Sequence, residues 1–263
     1  MARPSPASEA DDAADSCPRC GGVGYFVDVT TNTTHRCHCE GETLAYRERL
    51  ASAGIPRMFH RADFDNFEAP RGDAAREAVR DAAQSYAETF NLTDPEGLLL
   101  RGAPGTGKSH LAVAILRKVM RRGYTTCYRG FNDLLTEIRN SYDPNYPLTE
   151  EQVLRPLEVT DLVVLDDLGS ETPKDFVRDR LYLIINRRYE ARLPLIITTN
   201  CDSAELEVRV GRRTASRLVE MCSNPFPPFP DDDWRVRKGV GAPLPGTGRR
   251  KVTHQDPRVG RMK

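Results

Sequence analysis

Gly102-Ala103-Pro104-Gly105-Thr106-Gly107-Lys108-Ser109 follows the apolar run Leu98-Leu99-Leu100 and leads into a periodic segment from His110 to Met120. The order reads as strand, glycine-rich turn, helix. The spacing G-x-x-x-x-G-K-S is that of a phosphate-binding loop, the Walker A pattern, and each residue type has a mechanical reason to be there. Glycines let backbone N–H groups curl around phosphate oxygens, and the N-terminus of the following helix adds partial positive charge. Lys108 would reach the β- and γ-phosphates and Ser109 would offer its hydroxyl to Mg²⁺, while Gly102, Pro104, Gly105, Thr106, Gly107 and His110 complete the cradle. The expected ligand is a nucleoside triphosphate, taken as ATP.

Downstream, Leu162-Val163-Val164-Leu165-Asp166-Asp167 is a continuous apolar run ending in two acids. A strand buried on both faces has this form, and it delivers carboxylates at its C-terminal edge. Beside a phosphate loop it reads as a Walker B element, with Asp166 holding Mg²⁺ and Asp167 orienting or deprotonating the attacking water. Thr172-Pro173-Lys174-Asp175 is a helix start with Thr172 as N-cap, and the helix runs to about Arg192. Leu195-Ile196-Ile197-Thr198-Thr199-Asn200 is a further buried strand, whose terminal amide is placed to sense the γ-phosphate or position water.

Elsewhere in this part of the chain, Asp73 to Phe90 is alanine-rich and helical, with Ala74, Ala78, Val79, Ala82, Tyr86 and Phe90 as the expected buried stripe. Thr125-Thr126-Cys127-Tyr128 reads as a short strand. Phe131, Leu134, Leu135, Ile138 and Tyr142 then recur at helical spacing, and Tyr142 to Pro147 is a loop. Before the nucleotide segment, Glu42 to Ala53 reads as a short helix stopped by Gly54 and Pro56. The aromatics Phe59, Phe64 and Phe67 that follow show no periodicity. They either fold over the adenine or anchor a linker.

Hydrophobic residues at 39% and charged residues at 29% are ordinary for a globular chain of 263 residues. Lys+Arg and Asp+Glu are both 38, so the formal charge is zero and a protein that coats bulk polyanion is disfavoured. Residues 1–16 carry an acidic cluster and no apolar core of a signal peptide, and no stretch is long and apolar enough for a membrane; a cytoplasmic location is expected. From Arg235 onward nine Lys/Arg face one acid, Asp256. This tail is either a solvated end or an arm that attracts nucleic acid.

Four of the seven cysteines lie as Cys17-Pro18-Arg19-Cys20 and Cys37-His38-Cys39. Thiolate pairs at such spacing suit tetrahedral Zn²⁺, and a reducing compartment disfavours disulfides, so a structural zinc is expected. The second pair is the tighter C-x-C, and His35 or His38 is an alternative ligand. Cys127, Cys201 and Cys222 stand alone and read as small core residues.

In these motifs the chain resembles the AAA+ ATPases, and more narrowly the bacterial replicative helicase loaders of the DnaC and DnaI type, with the IstB transposition ATPases as relatives. The resemblance covers Gly54 to Arg235 and is carried by Gly54-Ile55-Pro56, the Walker A stretch, Leu165-Asp166-Asp167-Leu168-Gly169, Ile185-Asn186-Arg187-Arg188-Tyr189, Ile196 to Asn200, and Gly211-Arg212-Arg213 followed by Ser216-Arg217-Leu218. It implies an arginine finger at Arg217 or Arg213, a sensor-2 arginine at Arg235 and sensor 1 at Asn200. It also implies that the cysteine module grips the helicase. Two features depart from the pattern. Asn224 to Pro230 falls where a fifth strand belongs, but proline cannot donate to a central ladder, so the segment is an edge strand or a loop; and the catalytic pair is Asp-Asp rather than Asp-Glu.

The fold expected is therefore an α/β three-layer sandwich with a parallel sheet, preceded by a small zinc module. Its expected divisions are a disordered tail at 1–16, a zinc-binding and helical module with linker at 17–72, the ATPase domain at 73–235 and a basic disordered tail at 236–263. The function implied is ATP-dependent loading or remodelling of the replicative DNA helicase on single-stranded DNA, by a homo-oligomer with shared ATP sites. Competing readings are a transposition helper ATPase and a DNA-binding adaptor that nucleotide merely stiffens.

Overall fold

The computed structural model of the protein describes residues 25–28, 33–36, 44–69, 73–170, 174–223, 225–231 and 233. In chain order these form β1 (Tyr25–Asp28), β2 (Thr33–Arg36), α1 (Leu44–Ser52), α2 (Ala74–Thr89), β3 (Leu98–Arg101), α3 (Lys108–Arg121), β4 (Thr126–Gly130), α4 (Phe131–Asn140), α5 (Glu150–Val159), β5 (Leu162–Asp166), α6 (Asp175–Glu190), β6 (Leu195–Thr199), α7 (Ser203–Val210) and α8 (Arg212–Met221). No helix among the described residues is long and apolar enough to cross a membrane. Cys17, Cys20, Cys37, Cys39, His38, Thr172, Pro173 and Arg235 lie outside the described residues.

Strands β3, β6, β5 and β4 pair in that order as a parallel sheet, while β1 and β2 form a separate antiparallel hairpin with Phe26 opposite His35. Strands this apolar must be covered on both faces, and their alternation divides the core in two. Leu98, Leu100, Leu162, Val164 and Ile196 share one cluster with Val79, Leu111 and Ile115 of α2 and α3. Val163, Leu165, Leu195 and Ile197 share the other with α4 to α8. Segment 44–69 belongs to the first cluster through Tyr46, Ala53, Ile55, Ala62, Phe64 and Phe67, and the Tyr128 N–H of β4 donates to Ala53 O at 2.7 Å.

One expected helix face needs correction, one helix has no sequence expectation, and the segment read as an edge strand or a loop is a loop. On α2 the buried side chains are Arg76, Val79, Ala83 and Ala87, while Ala74 and Ala78 are exposed. The helix is rotated from the expected stripe because Arg76 turns inward, its Nε 3.3 Å from the N-cap Asp73. Helix α5 occupies ground with no helical expectation; a reciprocal capping box between Thr149 and Gln152 starts it, and Pro156 sits inside it. Residues 225–231 form no strand, so the sheet has four strands among the described residues. The prolines there lack the N–H that a ladder needs.

One buried cation locks the sheet to α5. Arg188 is fully buried; its Nη1 donates to Leu157 O at 2.6 Å and Thr160 O at 3.0 Å, and its Nη2 to Asp161 O at 3.3 Å and Pro194 O at 2.5 Å. Burial brings its pKa down to about 10, which leaves it charged at neutral pH. Arg188→Leu strands these carbonyls away from water, so it should destabilise the fold by about 3 kcal/mol or more. Urea unfolding should show a lower midpoint at an unchanged slope.

Candidate functional site

Parallel pairing brings the C-terminal ends of the strands into line, with Arg101 opposite Thr199 and Gly130 opposite Asp166. In open α/β sheets this edge is where ligands bind. The phosphate loop leaves β3 with the Gly102 N–H donating to Thr199 O at 3.3 Å. Gly105 (φ 77°) and Gly107 (φ 98°) then take left-handed conformations. A Cβ at Gly107 would come within 2.5 Å of Phe67 Cε2, so glycine is required there for space as well as for backbone. Gly107 is also the N-cap of α3, so the positive end of that helix dipole lies at the loop.

Lys108 opens α3 and is nearly buried. Its Nζ donates to Gly102 O at 2.8 Å, Ala103 O at 2.8 Å and Asn200 Oδ1 at 2.6 Å. The Asn200 amide in turn donates through Nδ2 to Asp167 Oδ1 at 3.0 Å. Three residues that the sequence assigns separately are thus one connected relay. Asp167 adopts φ 58°, a left-handed conformation that Asp tolerates better than most residues, and its N–H donates to Thr198 Oγ1 at 2.9 Å. This turn separates the two acids. Asp166 stays on the sheet, where its Oδ2 accepts from Tyr128 Oη at 2.6 Å and its Oδ1 from Thr198 Oγ1 at 2.6 Å. Burial, together with the Asp166 charge, pushes the Tyr128 phenol well above its usual range, so it remains a donor.

The residues present fit Mg²⁺. A carboxylate has about four lone-pair sites, so Asp166 keeps acceptor capacity beyond its two hydrogen bonds. One carboxylate, the Ser109 hydroxyl, phosphate oxygens and water make the hard oxygen set that this ion takes.

Beside the loop lies a cavity of about 310 Å³ lined by Met58, Phe59, Asn66, Phe67, Glu68, Arg76 and residues 105–110. Its outer wall is fastened to α3: His110 Nε2 meets Asp63 O at 2.9 Å, Arg117 Nη1 donates to Ala62 O at 2.9 Å, and the Phe67 and His110 rings lie 5.7 Å apart. The aromatic segment before the nucleotide domain therefore packs on the phosphate loop. Size and apolar walls suit a base. Arg76 in this lining was not legible from sequence, where an arginine in an alanine-rich helix reads as a solvent residue. A wider hollow of about 520 Å³ between Asp94, Tyr189, Arg192 and Glu220 holds none of the phosphate-binding groups.

Residues 31–216 match the family model described as IstB-like ATP binding protein. The chain belongs to this family. It is 26% identical over 179 residues to the replicative helicase loader DnaC of Buchnera aphidicola subsp. Acyrthosiphon pisum, a match that covers 68% of this chain and 72% of that protein. It is 27% identical over 232 residues to the phage-like element PBSX protein XkdC of Bacillus subtilis (strain 168), covering 82% and 83% of the two chains. The crystal structure of the DnaC helicase loader is similar with a TM-score of 0.59 at 27% identity, over 66% of this chain and 100% of that one.

In this IstB-like ATP-binding protein the segment after α8 returns to the phosphate loop. Phe229 is buried and 5.8 Å from the Phe226 ring, and a Cβ at Gly102 would lie 2.8 Å from Phe229 Cβ. Asp233 reaches Gly105, where an added Cβ would lie 1.9 Å from Oδ1. A carboxylate thus stands at the mouth of an anion-binding loop. Two like charges at about 4 Å in water repel by about 1 kcal/mol, so Asp233→Ala should tighten ATP binding by about fivefold. Titration with a fluorescent nucleotide analogue reads this directly, and an unchanged affinity would mean that the carboxylate leaves the loop at no cost.

The two candidate finger arginines lie elsewhere. Arg213 and Arg217 are on α8, which packs on α6, and they line a cleft with Tyr182, Tyr189, Arg212 and Ser216 rather than the phosphate cavity. Arg213 is exposed, whereas Arg217 is half-buried with its Cζ 4.8 Å from the Tyr182 ring centroid and 5.5 Å from that of Tyr189. The structure therefore gathers Lys108, Asp166, Asp167 and Asn200 into one site and leaves both arginines on another face.

Proposed function

We propose that the protein is an ATP-dependent loader or remodeller of the replicative DNA helicase on single-stranded DNA, acting as a homo-oligomer in which each ATP site is completed by an arginine of the neighbouring subunit. The observation that carries this reading is the relay Lys108–Asn200–Asp167 at the phosphate loop together with a guanidinium, Arg217, held on a different face. Relatives named as helicase loaders supply the partner.

On this reading, Lys108 exchanges its carbonyl contacts for the β- and γ-phosphates, and the loop N–H groups take the remaining oxygens. Ser109 and Asp166 would hold Mg²⁺, which would supply neutralisation of phosphate charge. Asn200 fixes Asp167 through Oδ1 while Oδ2 accepts no hydrogen bond among the described residues, and Asp167 turns this side to the attacking water. Water oxygen bonds to the γ-phosphorus, the bond from phosphorus to the β,γ-bridging oxygen breaks, and the water proton passes to Asp167. Arg217, or Arg213 beside it, meets the charge that develops on the γ-phosphoryl group. The shorter acid at position 167 fits slow turnover gated by assembly. Arg235 would add a second positive charge.

For the N-terminal module we assign structural Zn²⁺ to Cys17, Cys20, Cys37 and Cys39, four soft donors that leave no open catalytic position. Among the described residues no group of three or more His, Cys, Asp or Glu stands together to hold a metal. Purified protein should carry about one zinc per chain, and chelation should release it without loss of ATP binding, because a zinc module draws its folding energy from its own ligands. Metal analysis together with nucleotide titration checks both parts.

The match to an IstB-like model keeps a second reading open, in which the partner is a transposase. Loading distinguishes them. The protein, ATP and a replicative helicase are mixed with a closed single-stranded DNA circle, and DNA-bound helicase is measured. Retention that requires ATP and fails with Lys108→Ala is expected; helicase retention independent of this protein would sink the loader reading.

A further inference from the structure

Arg217 is held in an unusual way for a half-buried cation. Its guanidinium lies over two tyrosine rings, no carboxylate stands within ion-pair distance among the described residues, and its Nε is buried without a hydrogen bond. The contrast is with Arg188 of α6, whose Nε is likewise without a partner but whose Nη1 and Nη2 donate to backbone carbonyls rather than lying over rings. Tyr182 and Tyr189 are seven residues apart on α6, two helical turns, so they present one face, and Arg217 of α8 lies across both. Aromatic faces hold a cation while leaving its hydrogen-bond donors for another partner.

A carboxylate that could end this arrangement is close. Glu220 follows Arg217 by three residues on α8, a spacing at which opposite charges meet on a helix surface. Yet Glu220 does not pair with Arg217. Its Oε1 instead accepts from Tyr189 Oη at 2.8 Å. This hydrogen bond and the Glu220 charge push the Tyr189 phenol upward, the direction expected of a hydroxyl that donates to a carboxylate.

We propose that Tyr189 is a positioning residue for Arg217, its ring holding the guanidinium together with Tyr182 while its hydroxyl engages Glu220 and so keeps that carboxylate from neutralising the arginine. The proposal rests on the reading that Arg217 completes the site of a neighbouring subunit. It makes the positive charge of α8 available to phosphate because the nearby acid is already satisfied. Two consequences separate it from a merely packed tyrosine. Removing only the hydroxyl should weaken the arginine, and removing the Glu220 charge should then restore it.

The experiment uses full-length chains in mixtures. Arg217→Ala chains supply nucleotide sites without the arginine, and Lys108→Ala chains supply the arginine without a working site. When the second kind also carries Tyr189→Phe, the freed Glu220 pairs with Arg217, and kcat of the mixture should fall about threefold, the scale of an exposed ion pair, with KM for ATP unchanged. Adding Glu220→Gln to that same chain should return kcat to the level of the Lys108→Ala donor. Tyr182→Leu in the donor, which removes one ring, should lower kcat by about fivefold with no rescue by Glu220→Gln. A Tyr189→Phe donor as active as its parent, or a loss that Glu220→Gln does not reverse, would overturn the role of the hydroxyl. If the parental Lys108→Ala donor restores nothing to Arg217→Ala chains, the shared-site reading fails first and the proposal falls with it.

Discussion

Lys108→Ala protein is expected to lose tight ATP binding, by about a hundredfold or more in affinity, while keeping its fold. The lysine is the point charge for the β- and γ-phosphates, and hydrogen bonds to charged groups are worth about 1.5–3 kcal/mol each. Its Nζ holds Gly102 O, Ala103 O and Asn200 Oδ1, so removal also loosens the loop and the relay to Asp167. Asp167→Asn should behave differently. An amide oxygen at that position still accepts from Asn200 Nδ2, and the Asp166 carboxylate keeps its hydrogen bonds from Tyr128 and Thr198, so binding should persist. The proton acceptor is gone, and single-turnover hydrolysis should fall by about a hundredfold or more. Normal hydrolysis by Asp167→Asn would remove the assigned base.

Arg217→Ala should produce the second large effect, on rate alone. Arginine fingers are worth about 10³ to 10⁵ in turnover, and Arg217 does not line the phosphate cavity of its own chain, so ATP affinity should remain near that of the wild type. Arg213→Ala, on an exposed side chain of the same helix, decides which of the two arginines acts. The larger loss marks the finger.

The sequence made the site legible where its geometry is local. A glycine-rich loop between an apolar strand and a helix has few other forms, and two apolar runs ending in Asp166-Asp167 and Asn200 place their polar ends on one edge once the strands run parallel. What was not legible depends on long-range pairing. The Tyr128 hydroxyl reaches Asp166 on the neighbouring strand β5, from a residue whose aromatic ring alone explains its place in the core. Arg76 looks like a surface residue until Asp73 pairs with it, and the alanines of α2 are too small to announce which face is buried. Asp233 follows a run of prolines with no periodicity, and only folding returns it to Gly105. The cation held by Tyr182 and Tyr189 spans two helices that are joined through β6 and α7.

Sharing of sites between subunits is tested most directly by ATP turnover in an equimolar mixture of Lys108→Ala and Arg217→Ala chains. Each alone should be nearly inactive, the first for want of bound nucleotide and the second for want of the charge opposite the γ-phosphate. Mixed, they should form interfaces in which one chain holds ATP and the other supplies Arg217, so turnover should appear and rise with total protein concentration. A mixture no more active than the sum of its parts would place the arginine within its own chain or outside the reaction, and would contradict the account.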